Sequence, residues 1–284
     1  MTIKQLTNDI TQSLQPLYDP REAAAVASWY VCARMRMERY ELALRGNEPV
    51  DETLMPAIRR DMERLAEGCP LQYVLGETEF YGLSFKVSPA VLIPRPETEE
   101  LVQRVVQQYE GQKVRIWDVG TGSGCIAISL AKMLPDVEVF ATDISEDALA
   151  VARENAECNG VGVTFARHDM ADVEHLPFGE TRFDVIVSNP PYIPESERQH
   201  LERNVVDFEP SRALFVPDGS PLIFYDKIAQ LAVSALNSGG GLYFETHEHF
   251  HPELKQLLER MGFTNIVCRN DFRGLPRFIC GRKR

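Results

Sequence analysis

The hydrophobic positions of the chain follow two different periods. Over residues 2–68 they recur every three or four positions, as at Ala23, Val26 and Trp29, which is the spacing of one face of an α-helix. Beyond residue 112, short uninterrupted apolar runs alternate with helical patterns, as in parallel sheets whose strands are buried on both faces. The pattern therefore predicts a helical bundle at residues 1–69 followed by an α/β domain at residues 94–284.

Seven apolar runs in the second region predict the strands of one mostly parallel sheet. These predicted strands span residues 114–119, 137–142, 163–166, 185–188, 242–244, 265–268 and 277–280. Between the two regions, short apolar segments at residues 73–76, 80–82 and 85–87 stand next to glycines and predict strands of a β-hairpin linker at residues 70–93. Residues 193–217 have too little periodicity to predict an element.

Composition narrows the class of protein. With 42 acidic and 30 basic residues the net charge is −12, so the average field repels polyanions and we expect no DNA partner. The six cysteines form no Cys-x-x-Cys pair, so we expect reduced thiols and no zinc site. No apolar stretch approaches the roughly 18 residues that suggest a membrane span. We expect a cytoplasmic monomer without a membrane partner.

A glycine-rich turn follows the first predicted strand of the α/β domain. It consists of Gly120, Thr121, Gly122, Ser123 and Gly124. Glycines let the backbone crowd against a ligand, but the turn lacks the spacing of the dinucleotide fingerprint and the ending of a phosphate loop. Asp143 ends the next predicted strand, where its carboxylate can accept hydrogen bonds from ribose hydroxyls. This combination predicts S-adenosyl-L-methionine as the cofactor.

A second motif, Asn189-Pro190-Pro191-Tyr192, follows the strand predicted at residues 185–188. An amide nitrogen shares its lone pair with a π system and is a poor nucleophile. The Asn189 side-chain oxygen and the Pro190 carbonyl can accept hydrogen bonds from its two N–H groups, which stabilises charge that develops during methyl attack. The prolines restrict the backbone, and Tyr192 can stack on an amide or a base. Although either motif alone also fits a structural turn, together they predict an N-methyltransferase.

The chain resembles the bacterial peptide chain release factor glutamine methyltransferases almost from end to end. Besides the two motifs, the resemblance rests on Pro70-Leu71-Gln72-Tyr73 with Gly76, on residues 91–99, on Glu209-Pro210 with Ala213-Leu214, and on Asp218-Gly219. It implies a Rossmann-like class I S-adenosylmethionine-dependent methyltransferase domain, preceded by a helical domain that recognises the substrate. It also implies methylation of the glutamine in the Gly-Gly-Gln motif of class 1 peptide chain release factors, which modulates translation termination.

The resemblance assigns the site residues as well. The residues from Gly120 to Gly124 match the family's cofactor turn, Asp143 its ribose contact, and Asn189, Pro190, Pro191 and Tyr192 its substrate-amide site, with Asn189 also expected at the cofactor. Some members carry an aromatic residue beside the adenine where this chain has Met170, whose thioether can pack against the ring. Asp169 can reach the adenine amino group, or it can be a turn residue that ends a strand.

Other acceptors remain open from the residues alone. The same chemistry suits a ribosomal-protein glutamine or an adenine in nucleic acid, and a non-catalytic adenosylmethionine-binding adaptor on the ribosome is a further alternative. The acidic charge weighs against duplex DNA. His247, His249 and His251 alternate after Glu245, which on a strand would put three imidazoles on one face. We expect no metal, because the proposed chemistry needs none.

Overall fold

The computed structural model describes all 284 residues, which form two compact units. The first unit comprises Met1–Glu77 and Glu202–Phe208, and the second comprises Thr78–Leu201 and Glu209–Arg284. The domain boundaries drawn from the sequence, after residues 69 and 93, stay predictions.

Helices build the first unit. They are α1 (Ile3–Leu14), α2 (Pro20–Met35), α3 (Glu41–Arg45), α4 (Met55–Ala66), α5 (Leu71–Leu75) and the later α9 (Arg203–Phe208). Local sequence explains where the first two begin. The Thr2 hydroxyl accepts from the Gln5 amide in a capping box, and the Asp19 carboxylate accepts from the two amides after Pro20. Each side chain satisfies backbone donors that have no partner within the helix.

One predicted strand is a helix in the structure. The segment predicted as a strand at residues 73–76 forms α5 and its cap, and Tyr73 and Val74 are buried. Pro70 opens the helix, and Gly76 ends it with a φ of 81°, a left-handed conformation that glycine adopts without steric cost. The prediction was wrong because an apolar run of three residues does not distinguish a strand from one helical turn.

The second unit contains a β-hairpin, a seven-stranded sheet and a two-stranded ribbon. Its strands are β1 (Glu77–Phe80), β2 (Leu83–Lys86), β3 (Arg115–Val119), β4 (Glu138–Asp143), β5 (Val163–Arg167), β6 (Phe183–Ser188), β7 (Ile193–Pro194), β8 (Phe215–Val216), β9 (Leu236–Glu245), β10 (Phe263–Asn270) and β11 (Pro276–Lys283). Its helices are α6 (Pro96–Tyr109), α7 (Cys125–Met133), α8 (Glu146–Asn159), α10 (Ile223–Ala235) and α11 (His251–Arg260).

The large sheet has the strand order β10-β11-β9-β6-β3-β4-β5. Its strands are parallel except β11, which runs antiparallel to both of its neighbours, so the predicted seven-stranded, mostly parallel sheet is confirmed. Ile116 packs toward α6 and α7 on one face, and Trp117 packs toward α10 and α11 on the other. None of the helices combines the length and the apolar character that crossing a membrane requires.

Strand register brings the ends of distant segments together. Val119 pairs with Thr142 across β3 and β4, and Ser188 pairs with Phe244 across β6 and β9. Since the paired strands are parallel, the residues that follow these four lie at the same edge of the sheet, where open α/β sheets bind ligands. Those residues are Gly120, Asp143, Asn189 and Glu245.

Candidate active site

A cavity lies at this edge of the sheet. The sequence-predicted site residues that line it are Gly120, Thr121, Gly122, Ser123, Asp143, Met170, Asn189 and Pro191. The predicted residues that do not line it are Gly124, Asp169, Pro190 and Tyr192. The two motifs, 65 or more residues apart in sequence, therefore meet at one cavity.

The glycine turn and Asp143 are bonded to each other. The Gly122 amide donates to Asp143 Oδ2 and the Ser145 amide donates to Asp143 Oδ1, each at 2.9 Å. Burial raises the pKa of Asp143, while these amide hydrogen bonds lower it. Gly120 has a φ of 73°, and a Cβ there would lie 3.0 Å from Met170 Cε. A side chain at position 120 would thus be strained and would crowd Met170.

Asp118 is a buried carboxyl beneath the turn that the sequence analysis did not single out. It is fully buried in β3, its Oδ2 accepts from the Thr121 hydroxyl at 2.6 Å, and its Oδ1 has no hydrogen-bond partner. Burial raises the pKa of Asp118 to about 7. Asp118 does not line the cavity, and its hydrogen bond to Thr121 ties it to the turn.

Asn189 and Tyr192 converge on the same buried carboxylate. Asn189 Nδ2 donates to Thr98 Oγ1 at 3.2 Å, and Thr98 Oγ1 donates to Glu245 Oε2 at 2.6 Å. The Tyr192 hydroxyl donates to Glu245 Oε1 at 3.2 Å. Burial raises the pKa of Tyr192, so its hydroxyl stays protonated and available as a donor. The Asn189 Oδ1 atom is left to accept from a substrate.

The two remaining predicted cofactor residues, Met170 and Asp169, differ in whether they line the cavity. Met170 lines the cavity, as a residue beside an adenine must. Asp169 is exposed, and its Oδ1 accepts from the Ala171 amide at 2.8 Å, which is the geometry of an Asx turn. Of the two readings of Asp169 drawn from the sequence, the structure favours the turn residue.

A buried carboxylate ties down the segment before α6. The Glu209 side chain is only 1% exposed, accepts from the Ile93 amide at 3.1 Å and pairs with Arg95 at 2.6 Å. Arg212 lines the cavity near Asp143 and lowers the pKa of that carboxyl. Neither Glu209 nor Arg212 was among the predicted site residues, because both fall within residues 193–217, which showed no periodicity.

The three alternating histidines do not share a strand face. β9 ends at Glu245, His247 contacts Glu197 at 3.1 Å, and His251 begins α11. His249 is largely exposed. The strand assumed for their alternation ends before them, and Pro252 lies in the first turn of a helix within the same run. No group of three His, Cys, Asp or Glu side chains in the structure is arranged to hold a metal ion.

Two family models match the chain in separate segments. Residues 110–271 match a methyltransferase domain, and residues 5–76 match the PrmC N-terminal domain. The release factor glutamine methyltransferase of Flavobacterium psychrophilum is 40% identical over 283 residues, which covers 98% of each chain. That of Bacteroides thetaiotaomicron is 40% identical over 285 residues and covers 99% of this chain and 100% of its own.

Solved structures share the fold. A methyltransferase from Pyrococcus furiosus is 18% identical, with a TM-score of 0.52 and coverage of 82% of this chain and 99% of its own. The 16S rRNA N2 G1207 methyltransferase of T. thermophilus is 18% identical, with a TM-score of 0.53 and coverage of 73% and 50%. These two likenesses show a methyltransferase fold alone, whereas the full-length identity to the sequence relatives confirms the predicted resemblance: the chain belongs to the release factor glutamine methyltransferase family.

Proposed function

We propose that this protein transfers a methyl group from S-adenosyl-L-methionine to the side-chain amide nitrogen of the glutamine in the Gly-Gly-Gln motif of class 1 release factors, and so modulates translation termination. The observation that carries the proposal is the shared cavity. It is lined by Asn189, suited to an amide substrate, and by the glycine turn with Asp143, suited to a nucleoside. Family membership supports the choice of glutamine over adenine as the acceptor.

The lining of the cavity suits the chemistry of the cofactor. S-adenosyl-L-methionine supplies a methyl group bound to a positively charged sulfur, which makes that group electrophilic. The backbone of the turn from Gly120 to Gly124 would approach it closely, Asp143 would accept from its ribose hydroxyls, and Met170 would pack against its adenine.

Asn189, Pro190 and Tyr192 would act on the substrate amide. The Asn189 Oδ1 atom and the Pro190 carbonyl accept from its two N–H groups, so that positive charge developing on nitrogen is stabilised as the methyl group transfers. Pro190 and Pro191 limit backbone motion, which leaves little ordering to be done on binding. Tyr192 would stack on the planar amide. A strong base is unnecessary, because the nitrogen loses its proton readily once it is alkylated.

The proposal also assigns a role to each of three segments of the chain. Residues 1–69 would recognise the release factor, residues 70–93 would form a hairpin linker, and residues 94–284 would carry out the reaction. The separate match of residues 5–76 to a domain model supports a distinct N-terminal module. We further propose a cytoplasmic monomer that has no DNA partner.

The experiment that tests the function is transfer of label from S-adenosyl-L-methionine. Acceptors are a purified class 1 release factor with Gly-Gly-Gln, the same factor with Gly-Gly-Ala, and adenine-containing oligonucleotides. We expect label on the Gly-Gly-Gln factor only. Label on the oligonucleotides would replace the proposed acceptor with adenine, and label on none of the three would contradict it.

Replacing Asn189 tests the roles of the residues. Asn189→Ala should lower the turnover number by about 100- to 1000-fold, the usual loss when one transition-state hydrogen bond is removed, while the cofactor dissociation constant changes little. Asn237→Ala is the matched control, because Asn237 is exposed at the start of β9 and bonds only Asp184. Unchanged turnover in Asn189→Ala would refute the mechanism.

A further inference from the structure

Glu245 is buried behind the cavity and does not line it. It is 1% exposed, whereas Thr98 and Asn189, which lie between it and the cavity, are lining residues. Its two carboxylate oxygens are engaged separately, Oε2 by the Thr98 hydroxyl and Oε1 by the Tyr192 hydroxyl. Glu245 therefore touches both side chains of the substrate-amide site, one directly and one through Thr98, without reaching the substrate.

The hydrogen bonds that link Asn189, Thr98 and Glu245 run in one direction from donor to acceptor. An ionised carboxylate only accepts, and a threonine hydroxyl has a single proton. When Thr98 gives that proton to Glu245, its oxygen can only accept from Asn189, so the NH₂ side of the Asn189 amide must face Thr98. The Oδ1 atom then points away from Thr98, which is the orientation needed to accept from a substrate N–H.

We infer that Glu245 is a positioning residue, which selects the catalytic orientation of the Asn189 amide through Thr98 and holds the Tyr192 ring by its hydroxyl. The inference deepens the proposed function and rests on it. Without an obligate acceptor at position 245, the two amide orientations differ little in energy, because the side-chain amide is nearly symmetric in shape. Preorganised acceptors contribute to catalysis only when they are already aimed at the developing charge.

Opposing influences set the pKa of Glu245, and burial, the largest of them, raises it. The Thr98 hydrogen bond, the positive charge of Arg277 and the Tyr192 hydrogen bond lower it, while the charge of Glu97 raises it. Arg277 is itself held by Asp271 at 3.3 Å. Above this pKa the carboxylate has no proton to donate, and the direction of the hydrogen-bond chain is fixed.

Three substitutions separate positioning from packing. Thr98→Val keeps the shape of the side chain and removes the hydroxyl, Thr98→Ser keeps the hydroxyl, and Glu245→Gln keeps the shape but adds a donor. We expect the turnover number to fall by about 10- to 100-fold in Thr98→Val and Glu245→Gln, less than for loss of the acceptor itself. Thr98→Ser should stay within about threefold of wild type, and the cofactor dissociation constant should change little in all three.

A matched control and a second readout complete the test. Ser129→Ala removes a fully buried hydroxyl that has no partner, and we expect it to retain wild-type turnover. In ¹⁵N-labelled protein, the Asn189 side-chain NH₂ signals, assigned by their loss in Asn189→Ala, should include one slowly exchanging proton that becomes fast in Thr98→Val and Glu245→Gln. This readout needs no acceptor, so it tests the positioning role even if the release factor is not methylated.

Three results would each overturn the positioning role of Glu245. Wild-type turnover in both Thr98→Val and Glu245→Gln would overturn it, as would equally fast exchange of both Asn189 amide protons in the wild-type protein. A loss of turnover in Thr98→Ser as large as in Thr98→Val would also overturn it, because the hydroxyl would then not be the determining group. If Thr98→Val does not fold, Glu245→Gln and the wild-type exchange measurement still decide.

Discussion

Replacing Asp143 with asparagine separates two roles of one side chain. Its two carboxylate oxygens each accept one backbone amide, from Gly122 and from Ser145, both at 2.9 Å. Asparagine has only one oxygen, so one of these amides must face an NH₂ group that also donates. The carboxylate is proposed to accept from the ribose as well, and asparagine removes one of those acceptors too.

The expected changes in stability and in cofactor affinity follow from the number of hydrogen bonds that Asp143→Asn removes. A hydrogen bond to a charged group contributes about 1.5–3 kcal/mol net, so Asp143→Asn should lower the free energy of unfolding of the ligand-free protein by about that amount. The loss of one ribose hydrogen bond of the same kind should raise the cofactor dissociation constant by about 10- to 150-fold.

Urea unfolding and calorimetric titration with S-adenosyl-L-methionine measure the two effects separately. Asp147→Asn is the charge-matched control, because Asp147 is exposed in the first turn of α8. An Asp143→Asn dissociation constant within twofold of wild type would refute the ribose contact. Unchanged stability of the ligand-free variant would refute the role of the carboxylate in holding the turn.

Three further substitutions test features of the fold. The pKa of Asp118 is about 7 in the folded state and about 4 in the unfolded state. The folded protein therefore holds this proton more tightly, and wild-type stability should fall as the pH rises from about 4 to about 7. In urea unfolding at pH 5 and pH 8, Asp118→Asn should lack this part of the decline, and an identical pH dependence would contradict the burial argument. Gly124→Ala should lower the free energy of unfolding by about 1–3 kcal/mol, because Gly124 has a φ of 83° and a Cβ would lie 2.8 Å from a side-chain carbon of α7. Gly162→Ala is the control, because a Cβ at Gly162 would meet open space. Equal losses of stability in the two variants would refute the reasoning. Asp61→Ala should lower the melting temperature of the first unit. In the wild-type protein the buried Tyr30 hydroxyl donates to the Asp61 carboxylate at 2.7 Å, and loss of this acceptor should cost about 1–3 kcal/mol. An unchanged melting curve would contradict this.

The parts of the site that the sequence predicted are those encoded locally. Glycines at a strand end, an acidic residue at the end of the next strand, and an Asn-Pro-Pro-Tyr turn are each contiguous or close in sequence. A parallel sheet then brings such strand ends to one edge, which is why Gly120, Asp143 and Asn189 line one cavity.

The parts that could not be predicted depend on long-range pairing. Asn189 meets Thr98, 91 residues away, and Thr98 meets Glu245, 147 residues away. No local pattern fixes these contacts, because they require the register of β6 against β9 and the placement of the first turn of α6. Although Glu209-Pro210 is one of the segments that carry the resemblance, the role of Glu209 was missed for a related reason, since the Ile93 amide that it accepts from lies 116 residues away.

The short helix α9 makes the helical unit discontinuous along the chain. The segment Glu202–Phe208 belongs to the same compact unit as Met1–Glu77, and the Phe208 ring lies 3.8 Å from the place where a Cβ on Gly68 would stand. During synthesis, this unit therefore lacks a part until residue 208 has left the ribosome, long after its first 77 residues have emerged. The same discontinuity limits protein engineering: a chimaera that exchanges the helical unit between relatives must move both segments, because a single junction after Glu77 would pair a new bundle with an old α9.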